Sequence, residues 1–477
     1  MRPLVRVLSE DDVGQVHERT LGLLARVGVR VDTEKGRRIL ADGGAVVDEG
    51  TRVVRFPRGL VEEALRVAPR QFTLGGRRPG WDLPLNSGAC TLMVDGGGIF
   101  AYDARAGIRR PATYDDWVAA TDLIDALDEV GVYWRTVEAG LAGDKTPDAV
   151  RHWIAAYRHF SKHVQDVAVT PADARWLLVV LETVFGGRAN VRQVRPFSFL
   201  LCPHSPLVIE GPYTDAYLET LGWEIPVAVM PMPMMGLTSP ASLLATVIQG
   251  NAEVLAMLCL VQAAAPGTPF IYAPAFAVME PRSGRYGGGA VEHALLGAAT
   301  TEMARCYALP AEASAGGTDH HVPGIQAAYE SALNWSLPAL SWPDILVGPG
   351  LLGGSMILSL EQLLIDVEVF RRCQRLREGI GSPADGRLDD LLDEVAPGQT
   401  FVDHRSTRDA VRGGEWHLSR LGFQGTYEQW DQARRPDILD EARETVGAIL
   451  AGHSSLPLDP DLEGELMRIQ QQAEAAT

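Results

Sequence analysis

The sequence of 477 residues has few of the features that mark several protein classes. Its five cysteines are scattered and include no CxxC pair, which argues against a disulfide framework or a zinc knuckle. No uninterrupted apolar run reaches the roughly 18 residues of a membrane helix, and Met1 to Glu10 lack the apolar core of a secretion signal. With 43 basic against 61 acidic residues, the chain lacks the clustered positive charge that binds phosphates. We therefore expect a cytoplasmic protein that binds neither membranes nor nucleic acid.

The chain does contain a regular alternation of short apolar runs with amphipathic stretches of helical length. Each run ends in small or polar residues, and the last of them is weak. The runs are Val130 to Ala139, Val164 to Thr170, Pro196 to His204, Pro226 to Gly236, Pro269 to Met279, Pro310 to Gly317, Asp344 to Gly350 and Thr400 to His404. This alternation predicts a parallel (β/α)₈ barrel. A doubly wound open sheet is the main rival, and the missing glycine fingerprint after the first run disfavours it.

Three segments follow from this pattern. Residues 1–126 are predicted to form a helical segment with a small antiparallel β subdomain, punctuated by Gly96-Gly97-Gly98. That glycine run reads as a turn, because no phosphate-loop context surrounds it. Residues 127–405 are predicted to form the barrel, and residues 406–477 a helical extension.

The active site of such a barrel lies at the carboxyl ends of its strands, and the predicted ends are rich in aromatic and thioether side chains. Aromatic faces and soft sulfur suit a quaternary or tertiary ammonium group, although packing in the barrel core and rim explains the same residue types. The candidate substrate-binding residues are Tyr133, Trp134, His204, Met232, Phe276 and Gly316.

The densest polar cluster is Asp319-His320-His321, at the end of the sixth run. A divalent metal is the alternative reading, but adjacent histidines diverge and a spaced third ligand is missing, so we expect no tightly bound metal. Asp319, His320 and Glu138 are the candidate catalytic residues, while pairing with a neighbouring arginine explains either carboxylate equally well. His204 fits two roles equally well: a general base in the pocket, or a core histidine whose hydrogen bonds are made by its neighbours.

Several stretches, taken in order along nearly the whole chain, resemble the trimethylamine methyltransferase family. They lie in both termini and in the predicted barrel. They include Leu23-Leu-Ala-Arg-Val-Gly-Val-Arg-Val, Tyr102-Asp-Ala-Arg-Ala-Gly-Ile-Arg-Arg-Pro, Met234-Met-Gly-Leu-Thr-Ser-Pro-Ala-Ser-Leu, Gly316-Gly-Thr-Asp-His-His-Val-Pro-Gly-Ile-Gln-Ala-Ala-Tyr-Glu, Ser359-Leu-Glu-Gln-Leu-Leu-Ile-Asp-Val-Glu and Tyr427-Glu-Gln-Trp.

The resemblance implies a barrel methyltransferase that moves a methyl group from a methylated amine to the cobalt of a separate small corrinoid protein. The trimethylamine-specific branch uses pyrrolysine. This chain has only standard residues, so it resembles the branch whose substrates are betaine-like quaternary amines, such as the glycine betaine:corrinoid methyltransferases. We assign contacts with the corrinoid to Gly317, Gln326 and Tyr329 from their place beside the sixth-run loop. Assembly into a homo-oligomer stays open.

This sequence departs from the family at Asp319-His320-His321, where related sequences more often have Asp-Ser-Lys. The difference concerns the substrate and not the fold. Two other functions stay open at this point: a different barrel enzyme, such as a decarboxylase or a metal-dependent lyase, and a catalytically silent relative that senses a methylammonium ligand.

Overall fold

Eight parallel strands form the centre of the molecule in a computed structural model that describes residues 5–139, 148–381 and 388–476. Ladders pair each of the first five strands with the next in chain order, the seventh with the eighth, and the eighth with the first. A parallel bridge between Tyr272 and Ala311 joins the sixth strand to the seventh, so the sheet is a closed barrel and not an open one. The strands are β1 (Thr91–Met93), β2 (Val130–Tyr133), β3 (His163–Asp166), β4 (Phe197–Leu201), β5 (Val227–Val229), β6 (Phe270–Tyr272), β7 (Glu312–Ser314) and β8 (Ile345–Val347).

The barrel confirms the predicted fold class, but its strands begin earlier in the chain than predicted. The run at Val130 is the second strand, because Thr91–Met93 pairs in parallel between β2 and β8. The segment Thr400 to His404 forms turns and no strand. Thr91–Met93 is short and lies among glycine-rich turns, so its composition alone resembles an edge of the small antiparallel sheet. The first barrel strand therefore lies within the segment assigned to the amino-terminal extension.

Helices follow the strands in the expected alternation. Side-chain caps begin many of them: Thr113 with Asp116 and Thr170 with Asp173 form capping boxes, and Ser242 and Ser359 cap two others. In chain order the described helices are α1 (Glu10–Arg26), α2 (Glu34–Asp42), α3 (Arg58–Val67), α4 (Tyr114–Ala126), α5 (Asp148–His159), α6 (Pro171–Phe185), α7 (Arg188–Val194), α8 (Gly211–Leu218), α9 (Leu243–Ala264), α10 (Val291–Cys306), α11 (Ile325–Ser341), α12 (Leu360–Glu378), α13 (Leu388–Asp393), α14 (Arg405–Arg412), α15 (Tyr427–Gln432), α16 (Ile438–Gly452) and α17 (Pro460–Ala475).

The remaining strands are short and decorate the barrel. They are Val29–Val31, Val46–Asp48, Val53–Arg55, Thr73–Gly75, Asp82–Pro84, Phe100–Asp103, Ile108–Pro111, Val208–Ile209, Met234–Met235, Ala277–Val278, Leu351–Leu352 and Ile357–Leu358. The hairpin of Thr73–Gly75 and Asp82–Pro84 puts Leu74 and Leu83 into the apolar cluster inside the barrel. The carbonyl oxygen of Gly75 lies 3.1 Å from Nδ1 of His163 at the start of β3, so this hairpin fills the amino-terminal end of the barrel and leaves the other end for the site.

Helix α9 is long and apolar enough to cross a membrane by length and composition. Its place in the structure gives another reason for that composition: it packs against α1, α2, α3 and α10, and 83% of its apolar window is buried inside the protein. A helix covered on most sides is apolar all round. We therefore regard α9 as a core helix of the barrel layer.

Candidate active site

The direction of each side chain at the strand ends decides which residues reach the barrel mouth, since successive residues of a strand face opposite sides. Tyr133 faces outward: the indole Nε1 of Trp117 donates to its hydroxyl at 3.0 Å, and its ring lies 5.8 Å from that of Phe160. Phe276 packs against Gly250 of α9. Both rings are buried between the strands and the surrounding helices, so the structure does not bring them into the mouth.

Trp134 is the predicted aromatic that does reach the mouth. It follows β2, is half-buried, and contacts the apolar cluster inside the barrel. Its indole lies directly against the backbone of Gly96, where an added Cβ would be 1.5 Å from the indole Nε1. Gly96 is therefore required as a glycine by this close approach, and the turn after β1 positions the indole.

Asp95 directly precedes Gly96, the residue that the indole contacts, and was not predicted from the sequence. One of its carboxylate oxygens accepts the N–H of Gly96 at 2.8 Å, and the other accepts the hydroxyl of Ser355. Ser355 also lies within hydrogen-bonding reach of the Tyr286 hydroxyl. Burial raises the pKa of Asp95 and that of Tyr286 above their ordinary values. A carboxylate thus stands among aromatic rings at the end of β1.

Tyr286 continues this cluster toward β7. Its hydroxyl is 3.4 Å from Nδ1 of His293, and the two rings meet edge to face at 5.8 Å. The other imidazole nitrogen, Nε2, is 3.4 Å from the hydroxyl of Ser314. Burial lowers the pKa of His293 to about 4, so the imidazole is neutral at physiological pH.

The loop after β7 is held from two directions. The carboxylate of Asp319 accepts the N–H of Gly288 at 2.9 Å, which ties this loop to the one that precedes α10. Glu330 of α11 accepts the hydroxyl of Thr318 at 2.5 Å and the N–H of Asp319 at 3.0 Å. Burial raises the pKa of Asp319, against the lowering effect of the glycine N–H groups. The Asp319 carboxylate therefore connects two loops through a backbone N–H, and this partner is not the neighbouring arginine that the sequence allowed.

The other residues of this loop and of α11 make local contacts. Nδ1 of His320 lies 2.8 Å from the carbonyl oxygen of Val322, and His321 is exposed. Gln326 donates to Glu330 at 2.9 Å, and Tyr329 is 59% exposed on the same helix. Within residues 5–139, 148–381 and 388–476, no three His, Cys, Asp or Glu side chains are grouped as metal ligands.

Gly316 and Gly317 differ in how closely they are packed. Gly316 has a φ of 70°, and an added Cβ would lie 3.0 Å from Nδ1 of His293. Gly317 has more room, with its nearest contact at 3.7 Å. Gly316 thus supports the imidazole, and Gly317 is the more accessible of the two.

The remaining predicted residues lie on the rim. Glu138 pairs with Arg135 at 3.2 Å and its side chain is 52% exposed. Arg135 also pairs with the buried Asp166 at 3.2 Å. The side chain of His204 is 69% exposed, 3.6 Å from Glu210, and Met232 is half exposed. The structure therefore does not collect Glu138, His204 and Asp319 into one acid–base group.

A second polar group lies deeper, inside the barrel. Glu312 at the start of β7 is fully buried, and the amide of Gln165 donates to its two oxygens at 2.9 and 3.1 Å. The hydroxyl of Ser198 donates to the Gln165 carbonyl oxygen at 2.7 Å, and Ser198 lies 2.9 Å from Nε2 of His163. Burial raises the pKa of Glu312 to about 8 and lowers that of His163 to about 4.

An open groove of 660 Å³ runs beside the mouth, between the loops that follow β1, β6, β7 and β8. Both basic and acidic side chains line the groove, and the basic ones are more numerous. Its charged and titratable lining residues are Arg109, Arg282, Arg285, Glu280, Asp319, His321 and Tyr286. In a chain of net charge −18, this groove is a locally basic approach to the site.

The fold and the site define a parallel barrel with aromatic rings and buried acids at the carboxyl ends of its strands. Residues 1–476 match the family model described as trimethylamine methyltransferase, so the chain belongs to that family of amine methyltransferases, as its motifs predicted. It is 27% identical to the trimethylamine methyltransferase MttB of Methanosarcina barkeri over 99% of this chain and 96% of that one. It is 28% identical to the glycine betaine methyltransferase of Desulfitobacterium hafniense over 97% and 96%. The solved Methanosarcina barkeri monomethylamine methyltransferase, MtmB, is 11% identical with a TM-score of 0.46, covering 93% of both chains.

Sequence reasoning missed Asp95, Tyr286, His293 and Glu312. The sequence does not predict Asp95 as a site residue, because the pattern around Thr91–Met93 indicates a strand of the antiparallel extension and not a barrel strand. The glycine run Gly287 to Gly289 after Tyr286 was the available signal for a loop folded tightly over the mouth. Glu312 was a second signal, because it is the one charged residue of the run Pro310 to Gly317 and charged residues rarely point into a barrel core.

Proposed function

We propose that this protein transfers a methyl group from a quaternary, betaine-like amine to the cobalt of a corrinoid carried by a separate small protein. The observation that carries this proposal is the mouth cluster, which we define as Trp134, Asp95, Tyr286, His293 and Ser314. Family membership supports the reaction class, and the mouth cluster supports the charge of the substrate.

The mouth cluster suits a cation that has no N–H to donate. A quaternary ammonium is recognised through aromatic faces and nearby negative charge, each aromatic contact contributing about 0.5 to 2 kcal/mol. Trp134 offers a half-buried indole in contact with Gly96. The carboxylate of Asp95, the residue before this glycine, has two neutral donors as its present partners. The neutral His293 adds no positive charge that would repel the ligand.

The same cluster suits a leaving group that needs no proton. When the bond between nitrogen and the methyl carbon breaks, a quaternary ammonium leaves as a neutral tertiary amine and keeps the electron pair. Asp95 and His293 are both surrounded by hydrogen-bonding partners, and neither is required as an acid. The chain's own contribution is to orient the substrate and to exclude water from it.

The methyl acceptor must approach from outside, and the groove beside the mouth supports that approach. A reduced corrinoid supplies a cobalt nucleophile for the methyl carbon. The groove is open, its volume is 660 Å³, and the accessible Gly317 and the exposed Tyr329 lie on the loop and helix that border the mouth. Gln326 belongs to the same helix face through its contact with Glu330. These residues would contact the corrinoid or the protein that carries it.

Within this proposal His320 and Asp319 shape the path between the substrate and the acceptor, and neither acts as a proton donor. The carboxylate of Asp319 already accepts the N–H of Gly288, and Nδ1 of His320 already lies 2.8 Å from the carbonyl oxygen of Val322 in its own turn. Glu138, on the rim, holds Arg135.

A substrate panel tests the proposal. The purified protein is incubated with a reduced corrinoid protein and with glycine betaine, trimethylamine, dimethylamine or choline, while the absorbance of methyl-cobalt is followed. We expect transfer from quaternary amines with a small anionic group and little from the tertiary and secondary amines. Transfer from trimethylamine alone would contradict the proposed substrate class, and binding of quaternary amines without any transfer would favour a sensor.

A further inference from the structure

Glu312 lies at the centre of the barrel, below the mouth cluster. Of the eight barrel strands, all within the described residues, only β3 and β7 contain a carboxylate. Asp166 in β3 faces outward and pairs with Arg135, whereas Glu312 in β7 bonds with the inward-facing Gln165. Glu312 is therefore the one inward-facing carboxylate of these strands.

The surroundings of Glu312 contain no compensating cation among the described residues. Gln165 is its one side-chain partner, and the titratable groups that face this region are His163 on β3 and Cys202 directly after β4. The adjoining strands present apolar side chains to the same interior. These are Met93, Val132, Leu200, Ala228, Ile271, Ile345 and Val347. A buried acid without a cationic partner costs folding free energy, so packing alone does not account for it.

The position of Glu312 along β7 places it one layer beneath the mouth cluster. Ser314 lies two residues further on, faces the same side of the strand, and reaches His293 in the mouth cluster. Two residues of a strand span about 6 to 7 Å. The negative charge of Glu312 also raises the pKa of Cys202, at the carboxyl end of β4, although burial contributes more to that shift.

We propose that Glu312 is the buried countercharge for the substrate's ammonium group and sets the preference for a cationic over a neutral-headed ligand. This inference rests on the proposed function, because it requires a cationic substrate in the mouth. Glu312 is a specificity-determining residue here and not a catalytic one, since it acts across one layer of side chains.

Gln165 makes such a role feasible, because its amide can serve either form of the acid. In the present orientation its nitrogen donates to the carboxylate. Turned over, its carbonyl oxygen would accept the proton of the neutral acid. In the empty barrel burial favours the neutral acid. A permanent cation above it favours the carboxylate, and the displaced proton leaves to solvent, since His163 stays neutral.

The strength of the effect can be bounded from Coulomb's law. Two unit charges about 7 Å apart at an effective dielectric constant near 20 attract by an amount that corresponds to about 10-fold to 100-fold in affinity. Partial screening by solvent in the mouth brings the value toward the lower bound.

The test compares two probes by calorimetry between pH 6 and 9. Glycine betaine carries a permanent cation, and 3,3-dimethylbutanoate is its isostere with carbon in place of nitrogen; neither probe titrates in this range. For the parent protein, we expect the affinity for glycine betaine to rise with pH until it levels off above about 8, where Glu312 is ionised. The affinity for the isostere should not rise in this way.

Glu312→Gln is the matched variant, since Gln preserves the shape and can still bond with Gln165. We expect it to bind glycine betaine about 10-fold to 100-fold more weakly at pH 8.5, without the rise with pH, and to bind the isostere unchanged. Asp95→Asn tests the rival countercharge. If Asp95→Asn removes the rise with pH and Glu312→Gln keeps it, the inference is wrong.

If Glu312→Gln fails to fold, the pH profile of glycine betaine binding in the parent protein still tests the inference. A flat pH profile of glycine betaine binding in the parent contradicts the inference while leaving the proposed function intact. Failure of the parent to bind any quaternary amine contradicts both.

Discussion

At the scale of single residues, the contact between Trp134 and Gly96 fixes the geometry of the mouth. An added Cβ at Gly96 would lie 1.5 Å from Nε1 and 1.6 Å from Cδ1 of the indole, so the backbone of Gly96 restricts the orientation of the ring. A ring held in place before binding loses little conformational freedom when the ligand arrives. Trp134 is for this reason the best-supported aromatic contact for an ammonium group.

Trp134→Ala should weaken binding of glycine betaine by about 1 to 3 kcal/mol, because one cation–π contact and its packing are removed. Trp134→Phe keeps a ring and should lose less. Calorimetry with both variants measures the difference. Unchanged binding in Trp134→Ala would show that this indole is only a packing residue.

Gly316→Val and His320→Ala separate a structural from a functional role of the loop after β7. An added side chain at Gly316 meets His293 and adopts a strained φ, so Gly316→Val should lower the thermal midpoint and methyl transfer together. His320→Ala removes only a bond to Val322 within its own turn, and its midpoint should stay within a few degrees of the parent's.

Transfer assays beside thermal melts check both variants. If His320→Ala keeps the thermal midpoint of the parent but loses methyl transfer, this histidine has a direct role in the path between the substrate and the corrinoid. Parental transfer in both variants would make the loop purely structural.

The buried acid Glu312 should also be visible in the pH dependence of stability. Its pKa rises from 4.5 in the unfolded chain to about 8 in the folded protein, so the folded state binds the extra proton between these values. Its contribution to stability is present below pH 4.5 and is lost as the pH rises toward 8. Glu312→Gln lacks this loss, and its stability relative to the parent should therefore improve from pH 5 to pH 8.

Urea unfolding of both proteins at the two pH values measures this change. Asp366, whose pKa burial raises to about 7, contributes equally to the parent and the variant and cancels in the comparison. A stability difference that is constant with pH would mean that Glu312 is already ionised in the folded protein.

At the scale of elements, the loops that follow β6 and β7 behave as one unit. Asp319 accepts the N–H of Gly288, the amide of Asn334 donates to the carbonyl oxygens of Gly288 and Gly317, and Glu330 holds Thr318. These bonds connect α10, α11 and the two loops above the barrel. This network holds together the two loops that border the mouth.

Asp319→Ala should destabilise the protein by about 1 to 3 kcal/mol, since the Gly288 N–H loses its partner. Asp319→Asn retains a carbonyl oxygen at the same place and should restore most of that loss. Denaturant unfolding compares the two variants. Equal stability of Asp319→Ala and the parent would show that the loops do not depend on this bond.

How far the sequence predicts these elements depends on the strength of the local pattern. Seven barrel strands and the final helices α15 to α17 were predicted, because β-branched runs and amphipathic periods are local signals. The strand Thr91–Met93 was misplaced, since three residues between glycine turns carry too little pattern to separate a barrel strand from a hairpin edge. The positions of Tyr133 and Phe276 near strand ends predict that both rings lie at the mouth. Position along a strand does not give the direction of a side chain, and a shift of one residue reverses that direction.

At the scale of the whole molecule, the carboxyl-terminal helices clamp the outside of the barrel. Helix α17 packs on α5 and α6, where Glu463 pairs with Arg158 at 2.5 Å, and it buries Leu466 and Ile469. Burial of such side chains contributes about 1.5 to 3 kcal/mol each. Removal of residues 457–477 should therefore lower the thermal midpoint clearly, although it leaves the mouth cluster in place. An unchanged midpoint would mean that the tail is an accessory segment.

In the proposed function, a quaternary amine gives up one methyl group to a corrinoid in the mouth of this barrel. A single-turnover reaction with methyl-labelled glycine betaine and a stoichiometric reduced corrinoid protein tests that claim most directly. We expect one labelled methyl-cobalt and one dimethylglycine for each turnover, and we expect the yield of both products to be independent of added divalent metal. Formation of dimethylglycine without methyl-cobalt, or methyl-cobalt from trimethylamine but not from glycine betaine, would contradict the proposed function.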